Sequence, residues 1–266
     1  MEDDQMARIY PLFSSSSGNC TYIGDEHSGI LIDAGVSCKK ICDALNNNGL
    51  SPEAVQGIFV THTHSDHIQG LKVLTKKYSI PVYAQRTNLK ILADNDKVHS
   101  LCSLNEIDGT AVDLGDFRIE GFETPHDTPA SCGYKVTLSD GKVCAVCTDL
   151  GYVTPEISQT LVSCDLVVLE SNYDVQMLKN GPYPYELKKR IASDHGHLSN
   201  SDCGEQLCDL MDNGVCRFIL GHLSQHNNTP QTAEQSAVKA LEKFRRNKDY
   251  ILYVARPEGA GMVVAF

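Results

Sequence analysis

THTHSDHIQG, residues 61–70, sets His62, His64, Asp66 and His67 within six positions, directly behind the apolar run QGIFV at 56–60. The run reads as a buried strand, so the cluster stands where a strand ends and the chain turns. His62 and His64 are two apart and project to one side of an extended segment. Asp66 and His67 sit where the chain must bend into the following helix. Imidazole and carboxylate are good ligands for zinc and related divalent ions. Taken with further ligands from elsewhere, the cluster exceeds what one tetrahedral ion needs, which points to two. The competing reading is a solvated polar loop with chance histidines; the spacing behind a buried strand favours metal.

Further donors are expected at other strand ends. Asp33 closes LIDAG, His126 follows 117–124 in TPHDTPASCGY, Asp149 follows 143–148 in CTDLG, and His222 follows 216–220 in LGHLSQHNNTP. Alone, each is as readily a turn former or helix cap. Together they form one polar rim around strand ends.

Patterning outside the cluster predicts strands at 8–13, 21–24, 29–33, 56–60, 80–84, 117–124, 132–138, 143–148, 165–170, 216–220, 250–255 and 262–266. It predicts helices at 37–48, with Gly49 as a C-terminal stop, and at 71–78, 154–162, 184–192, 201–211 and 232–246. Strands alternate with helices and no polar linker interrupts them, so one α/β domain over residues 1–266 is expected, with sheets inside and helices outside. Two α/β domains are the alternative.

LIDAG, THTHSDH, the isolated His126, TDLG with Asp149 and LGH with His222 resemble the motifs of the metallo-β-lactamase superfamily. The resemblance implies a four-layer αββα sandwich. It implies that His62, His64 and His126 hold one metal, that Asp66, His67 and His222 hold a second, and that Asp149 bridges them. Asp33 then supports the ligand histidines from behind. Zinc suits a histidine-rich set, with manganese or iron as alternatives.

The superfamily includes thioesterases, lactonases, β-lactamases, nucleases and diiron flavoproteins. The last carry glutamate where this chain has His64, which argues for hydrolysis. Paired divalent ions acidify a bridging water and clamp attacking and leaving oxygens, which suits phosphodiester and acyl hydrolysis alike. Glu170 in VVLESNYD, with His197 and Ser199 in HGHLSN, resembles the strand-end glutamate and histidine of the superfamily's tRNA-processing nucleases. A phosphodiester leaving oxygen needs a proton, and a histidine oriented by a carboxylate supplies one. Catalysis is therefore assigned to Asp66, Glu170 and His197. Ser199 is expected to bind phosphate or cap a helix, two compatible roles. His195 and His226 are given no catalytic role.

SSSSGNCTYI, ESNYD, GPYPYELKKRI, HGHLSN and HLSQHNNTP together resemble a narrower group, the YycJ/WalJ-like branch of bacterial cytosolic exonucleases acting on DNA 5′ ends. Ser16, Ser17, Gly18 and Asn19 then offer hydroxyls and amides to a terminal phosphate, or form a plain hairpin turn. The implied activity is metal-dependent phosphodiester hydrolysis, 5′ to 3′ on DNA, by a hydroxide held between the metals. The alternatives are a small-molecule hydrolase, such as a thioesterase or lactonase, and a non-catalytic metal-binding regulatory scaffold.

Composition sets bounds. The 266 residues carry 41% hydrophobic and 21% charged side chains, an ordinary globular balance that argues against disorder. No apolar run approaches the ~18 residues of a membrane span, and MEDDQMAR lacks the apolar core of a signal peptide. A cytoplasmic location is expected, with no membrane partner. The eleven cysteines read as free thiols in a reducing compartment. Cys144 and Cys147 form a CxxC, but a strand points residues three apart to opposite faces, so core packing is the better reading. The net charge of −11 opposes long-range attraction of nucleic acid. Two divalent ions, and the basic clusters at Lys188–Arg190 and Arg245–Lys248, offset it locally.

Overall fold

The structure, a computed structural model, describes residues 8–258 and 262–266; most of the acidic N-terminal stretch read above lies outside them. The chain runs β1 (Arg8–Ser15), β2 (Gly18–Gly24), β3 (Gly29–Ile32), α1 (Cys38–Asn47), a 3-10 turn (Pro52–Ala54), β4 (Val55–Phe59), α2 (Ser65–Ile68), α3 (Leu71–Tyr78), β5 (Val82–Ala84), α4 (Arg86–Asp94), β6 (Leu104–Glu106) and β7 (Val112–Leu114). It continues through β8 (Phe117–Glu123), β9 (Cys132–Leu138), β10 (Val143–Cys147), α5 (Pro155–Leu161), β11 (Leu166–Glu170), α6 (Val175–Asn180) and α7 (Tyr185–Ile191). The last elements are α8 (Asn200–Asp212), β12 (Arg217–Gly221), α9 (Pro230–Ala240), β13 (Ile251–Val254) and β14 (Val264–Ala265).

Two seven-stranded sheets form, in the orders β14-β1-β2-β3-β4-β5-β6 and β13-β12-β11-β10-β9-β8-β7. Each is half antiparallel and half parallel. β14, β1, β2 and β3 pair antiparallel, and β3 through β6 pair parallel. In the second sheet β7 through β10 pair antiparallel, and β10 through β13 parallel.

Alternation along the strands makes the layers. On β3, Ile30 and Ile32 enter the core between the sheets while Leu31 faces the helices. On β11, Leu166 and Val168 face inward and Val167 and Leu169 outward. The central core also holds Phe59, Phe117, Ile119, Tyr134 and Ile219. Ile41 and Leu45 of α1, Leu71 and Leu74 of α3 and Leu92 of α4 cover the outside of the first sheet. Ile157 of α5, Leu207 and Leu210 of α8 and Ala237 of α9 cover the second. The result is the αββα sandwich expected. Burying a Leu or Ile fully is worth about 1.5–3 kcal/mol, so three such layers supply the main stabilising term. The CxxC behaves as strand geometry requires: Cys144 lies in the central core and Cys147 in the helix-facing one.

Two expectations need correcting, and one helix was missed. The predicted 232–246 helix spans Pro230–Ala240; Asp249 captures the Arg245 amide at 2.8 Å and Asn247 turns left-handed at φ 61°, so the chain folds back instead. α4 was not foreseen; Gln85 at its start makes no side-chain cap, and one of its two buried residues is Asn88. The hairpin strands β1 and β2 extend to Ser15 and Gly18, leaving only Ser16 and Ser17 as the turn. No helix among the described residues is long and apolar enough to cross a membrane.

Candidate metal and catalytic centre

The expected residues gather at the carboxyl ends of the strands. Asp33 follows β3, His62 follows β4, His126 follows β8, Asp149 follows β10, Glu170 ends β11 and His222 follows β12. Three of them are left-handed: Asp33 at φ 63°, Asp149 at 60° and His222 at 55°. This region is costly for a side-chain-bearing residue, though Asp and His enter it more readily than most. The reversal keeps each side chain at the sheet end instead of carrying it off with the following loop.

Ligand-capable atoms of His62, His64 and His126 lie within 4.8 Å of one another, and so do those of Asp66, His67 and His222. Those are the trios the resemblance implies. Asp149 stands between them, its Oδ2 3.3 Å from His67 Nε2 and its Oδ1 3.7 Å from His126 Nε2. Asp149 also groups with Glu170, His197 and His222 within the same 4.8 Å limit.

Hydrogen bonding at Nδ1 fixes which ring nitrogen is free. His126 Nδ1 meets the carbonyl of Gly196 at 3.0 Å, which only accepts, so Nδ1 carries the proton. His67 Nδ1 meets Asp33 at 2.7 Å and His222 Nδ1 meets Glu170 at 2.7 Å. Thr61 donates its hydroxyl to Asp33 at 2.8 Å; at 3.0 Å from His62 Nδ1 it can then only accept. Nε2 of His62, His126 and His222 and Oδ2 of Asp149 are buried with no hydrogen-bond partner among the described residues. Polar atoms left unpaired in one buried centre are costly, and a divalent cation, taking the place of protons on the histidines, satisfies them. The donor set fits such an ion, with its supporting carboxylates in place.

The electrostatics agree. Burial holds His62, His64 and His126 below the ordinary imidazole range, leaving them neutral. Burial alone would lower His67 and His222 as well. Asp149 and Asp33 outweigh it at His67, which is held well up. Asp149, Asp66 and Glu170 outweigh it at His222, raised to about 10. Asp149 is held well below the carboxylate range: burial opposes this, but His222 and His67 prevail. The field that keeps protons on His67 and His222 is the field a cation would meet.

Glu170 is completely buried. Its Oε1 meets His197 Nδ1 at 2.8 Å, and its Oε2 accepts from the amides of Leu150 and Leu198 at 3.0 and 3.2 Å. His197 keeps 19% side-chain exposure.

The phosphate-binding expectation changes. Ser199 is 1% exposed; its hydroxyl accepts from the Asp202 amide at 3.1 Å and donates to the Asp202 carboxylate at 2.7 Å. It caps α8 and offers nothing to a ligand. Gly18 is buried, and Asn19 Nδ2 lies 3.1 Å from His67 Nε2 and donates to Asp66 Oδ2 at 3.4 Å. Asn19 therefore braces the cluster. Ser16 and Ser17 stay exposed. His195 is exposed yet borders a cavity beside His126, and His226 packs on Tyr183 at 5.6 Å, away from the cluster.

Sequence reading missed two neighbours. Asp127 lies 3.8 Å from His64 and 3.5 Å from His126, and pairs with Arg190 of α7; its place directly after His126 was the available signal. Asn172 donates to the His222 carbonyl at 2.8 Å, and nothing in ESNYD announces that contact.

Fold and centre together define a chain of the metallo-β-lactamase class. Residues 29–223 match the family described as a Beta-lactamase superfamily domain. The YhfI metallo-β-lactamase fold protein of Bacillus subtilis superposes with a TM-score of 0.75 at 13% identity, covering 98% of this chain and all of that one. Human tRNase Z, short form, superposes at 0.64 with 16% identity over 97% and 98% of the two chains; both likenesses speak to fold alone. Within that class the chain belongs to the WalJ/YycJ exodeoxyribonuclease family. It is 34% identical over 255 residues to exodeoxyribonuclease WalJ of Streptococcus pneumoniae, covering 94% of each chain. It is 35% identical over 240 residues to exodeoxyribonuclease YycJ of Bacillus anthracis, covering 87% of this chain and 88% of that one.

Proposed function

We propose that this chain is a metal-dependent phosphodiesterase that removes nucleotides from the 5′ ends of DNA. Two divalent ions serve it, zinc first, with manganese or iron as alternatives. The observation carrying the reading is the Glu170–His197 pair beside the orphaned donors. Small-ester hydrolysis gives that pair no clear task. The relatives named as exodeoxyribonucleases support DNA as substrate and, with it, a cytoplasmic location. The two sheets share one central core, which supports treating residues 1–266 as one domain.

His62, His64 and His126 would hold one ion, Asp66, His67 and His222 the other, and Asp149 both. When bound, the ions polarise the scissile phosphate and acidify the attacking water. His197 supplies the proton the leaving group needs. Its Nδ1–H is committed to Glu170, so Nε2 carries the transferable proton toward the cleft. As the bond from phosphorus to the 3′ oxygen breaks, its electron pair stays on that oxygen, which takes the Nε2 proton and departs as a hydroxyl. The imidazole is left neutral, still held by Glu170. In the cavity that Ser16 and Ser17 border, the Ser16 hydroxyl and Lys97 offer the strand's phosphates a donor and positive charge, while Lys72 beside them is paired with Asp96.

The test is degradation of end-labelled DNA and RNA, with and without a 5′ phosphate, under zinc, manganese and iron in turn. Stepwise loss of 5′ nucleotides from DNA, abolished by EDTA, is expected. Turnover of a thioester or lactone panel with no polynucleotide cleaved would overturn the reading.

A further inference from the structure

Two cavities flank the histidine cluster, and their linings differ in charge balance. On the Asp66 side a cavity of about 610 Å³ is bordered by Ser16, Ser17, Lys72 and Lys97 together with Asp66 and Asp96, the last paired with Lys72, so that its charges balance. On the His126 side a cavity of about 630 Å³ is bordered by Gln85, Asp108, Phe122, Glu123, Pro129 and His195. No lysine or arginine borders the second among the described residues. The Gln85 side-chain oxygen is buried there without a hydrogen-bond partner among the described residues. Its lining is thus an aromatic ring, prolines, two carboxylates and threonine and serine hydroxyls, with the unpaired Gln85 oxygen behind them. Such a chamber repels phosphate and accepts a flat, partly apolar group that carries N–H donors. A nucleobase is such a group, and the volume holds one nucleoside with room to spare.

The chamber also lies on the leaving-group side. His126 borders it, and the His126 ring centre is 5.2 Å from that of His197. His195, two residues before His197, forms part of its rim. We infer that the cavity beside His126 is the pocket for the terminal nucleoside, the one whose 3′ oxygen leaves, while the remaining strand runs over the Lys72–Lys97 side. This rests on the phosphodiesterase reading and adds to it the direction of the strand and the chemistry of its end. The acceptors Gln85, Asp108 and Glu123 meet the base's N–H groups, and the carboxylates make a 5′-hydroxyl end a better occupant than a 5′-phosphate end.

Ala130 on the cavity wall provides the test. In Ala130→Trp the indole fills the chamber, and Gln85→Leu removes only the buried acceptor. Two quantities are read on each folded variant. The first is kcat/KM on a 5′-hydroxyl DNA strand divided by kcat/KM on bis(p-nitrophenyl) phosphate, a small diester that has no base to seat. The second is fluorescence-detected binding of 2-aminopurine deoxyriboside in EDTA, which needs no activity. The ratio is expected to fall at least tenfold in Ala130→Trp and several-fold in Gln85→Leu, and nucleoside binding to vanish in the former. An unmoved ratio with unmoved nucleoside binding would overturn the pocket while leaving diester hydrolysis standing. A wild-type protein that cleaves neither diester nor DNA defeats the phosphodiesterase reading instead, and nucleoside binding then decides the pocket by itself.

Discussion

Oε1 of Glu170 lies 2.8 Å from Nδ1 of His197, and the same oxygen lies 2.7 Å from Nδ1 of His222. One carboxylate oxygen therefore orients both the proposed acid and a proposed metal ligand. With the Leu150 and Leu198 amides on Oε2, the carboxylate has four donors and no exposure. Burial opposes its ionisation, but His197 and His222 outweigh that and keep its pKa low.

Substitutions at the two ends of this bond should differ. His197→Ala removes the proton donor alone. Its kcat on DNA should fall by about 10²–10⁴, with metal content by elemental analysis unchanged. In Glu170→Gln one end of the side chain becomes an NH2 group facing N–H donors, so His222 loses its orientation too. Metal affinity should fall by about 10–100-fold along with kcat. Wild-type turnover by His197→Ala would remove it from the chemistry.

Gly35 is the closest backbone approach at the cluster. A Cβ there would stand 1.6 Å from the Asp66 carbonyl oxygen and 2.5 Å from the Asn19 amide. Around it Gly35 donates to Asn19 at 2.7 Å, Ala34 to His67 at 2.8 Å and Gly70 to Ala34 at 2.8 Å. Gly35→Ala must push the loop bearing Asp66 and His67 away from Asn19. A loss of about 3 kcal/mol is expected, seen as a fall in Tm of roughly 6–12 °C, with less metal retained after dialysis. A variant with native Tm and metal content would show that this loop yields freely.

Most of the centre was legible because its chemistry is written in local runs. THTHSDH, LIDAG and TDLG each sit behind an apolar strand, and the parallel order of strands brings those ends together. Contacts between loops were not legible. Nothing in PHDT shows that Asp127 reaches Arg190, and Ser199 reads equally as a cap or a phosphate site until its burial is known. The edge strands β6 and β7 escaped because they bury no side chain, and α4 was missed with one apolar side chain buried and no side-chain cap at its start.

ESNYD, HLSN and HNN meet in a buried amide network behind Glu170. Asn228 Nδ2 donates to the Ser171 carbonyl at 2.8 Å, the Asn172 carbonyl at 3.0 Å and Asn200 Oδ1 at 2.8 Å. Asn200 returns a bond to Asn228 Oδ1 at 3.1 Å. Asn228→Asp sets a carboxylate against three acceptors; the Asn172 carbonyl keeps the Ser224 amide at 2.8 Å and Asn200 Oδ1 keeps the Ser171 hydroxyl at 2.7 Å, so the Ser171 carbonyl is the one that loses its donor. An orphaned buried group costs about 1–3 kcal/mol and an opposed charge more, so a loss of at least about 1 kcal/mol is expected in urea unfolding at pH 8. Asn228→Ala, which introduces no charge, should lose less. The reverse ranking would show that charge at this point is harmless.

Buried thiols set an alkaline limit on stability. Burial pushes Cys203 up to about 12, and Cys132 and Cys164 to about 12 as well. In the unfolded chain a thiol titrates near 8.5. Above that pH the unfolded state sheds its proton while the folded state keeps it, so the unfolded state binds fewer protons. Stability is then complete below about pH 8.5 and declines as pH rises toward 12. Each thiol contributes a slope of about 1.4 kcal/mol per pH unit across that window. Urea midpoints at pH 8, 9 and 10 should fall steeply in the parent chain. Cys203→Ala should be less stable at pH 8, having lost a packed side chain, yet decline less steeply because one titrating group is gone. Equal slopes for the two proteins would mean that Cys203 ionises alike in both states and is not sealed in the folded core.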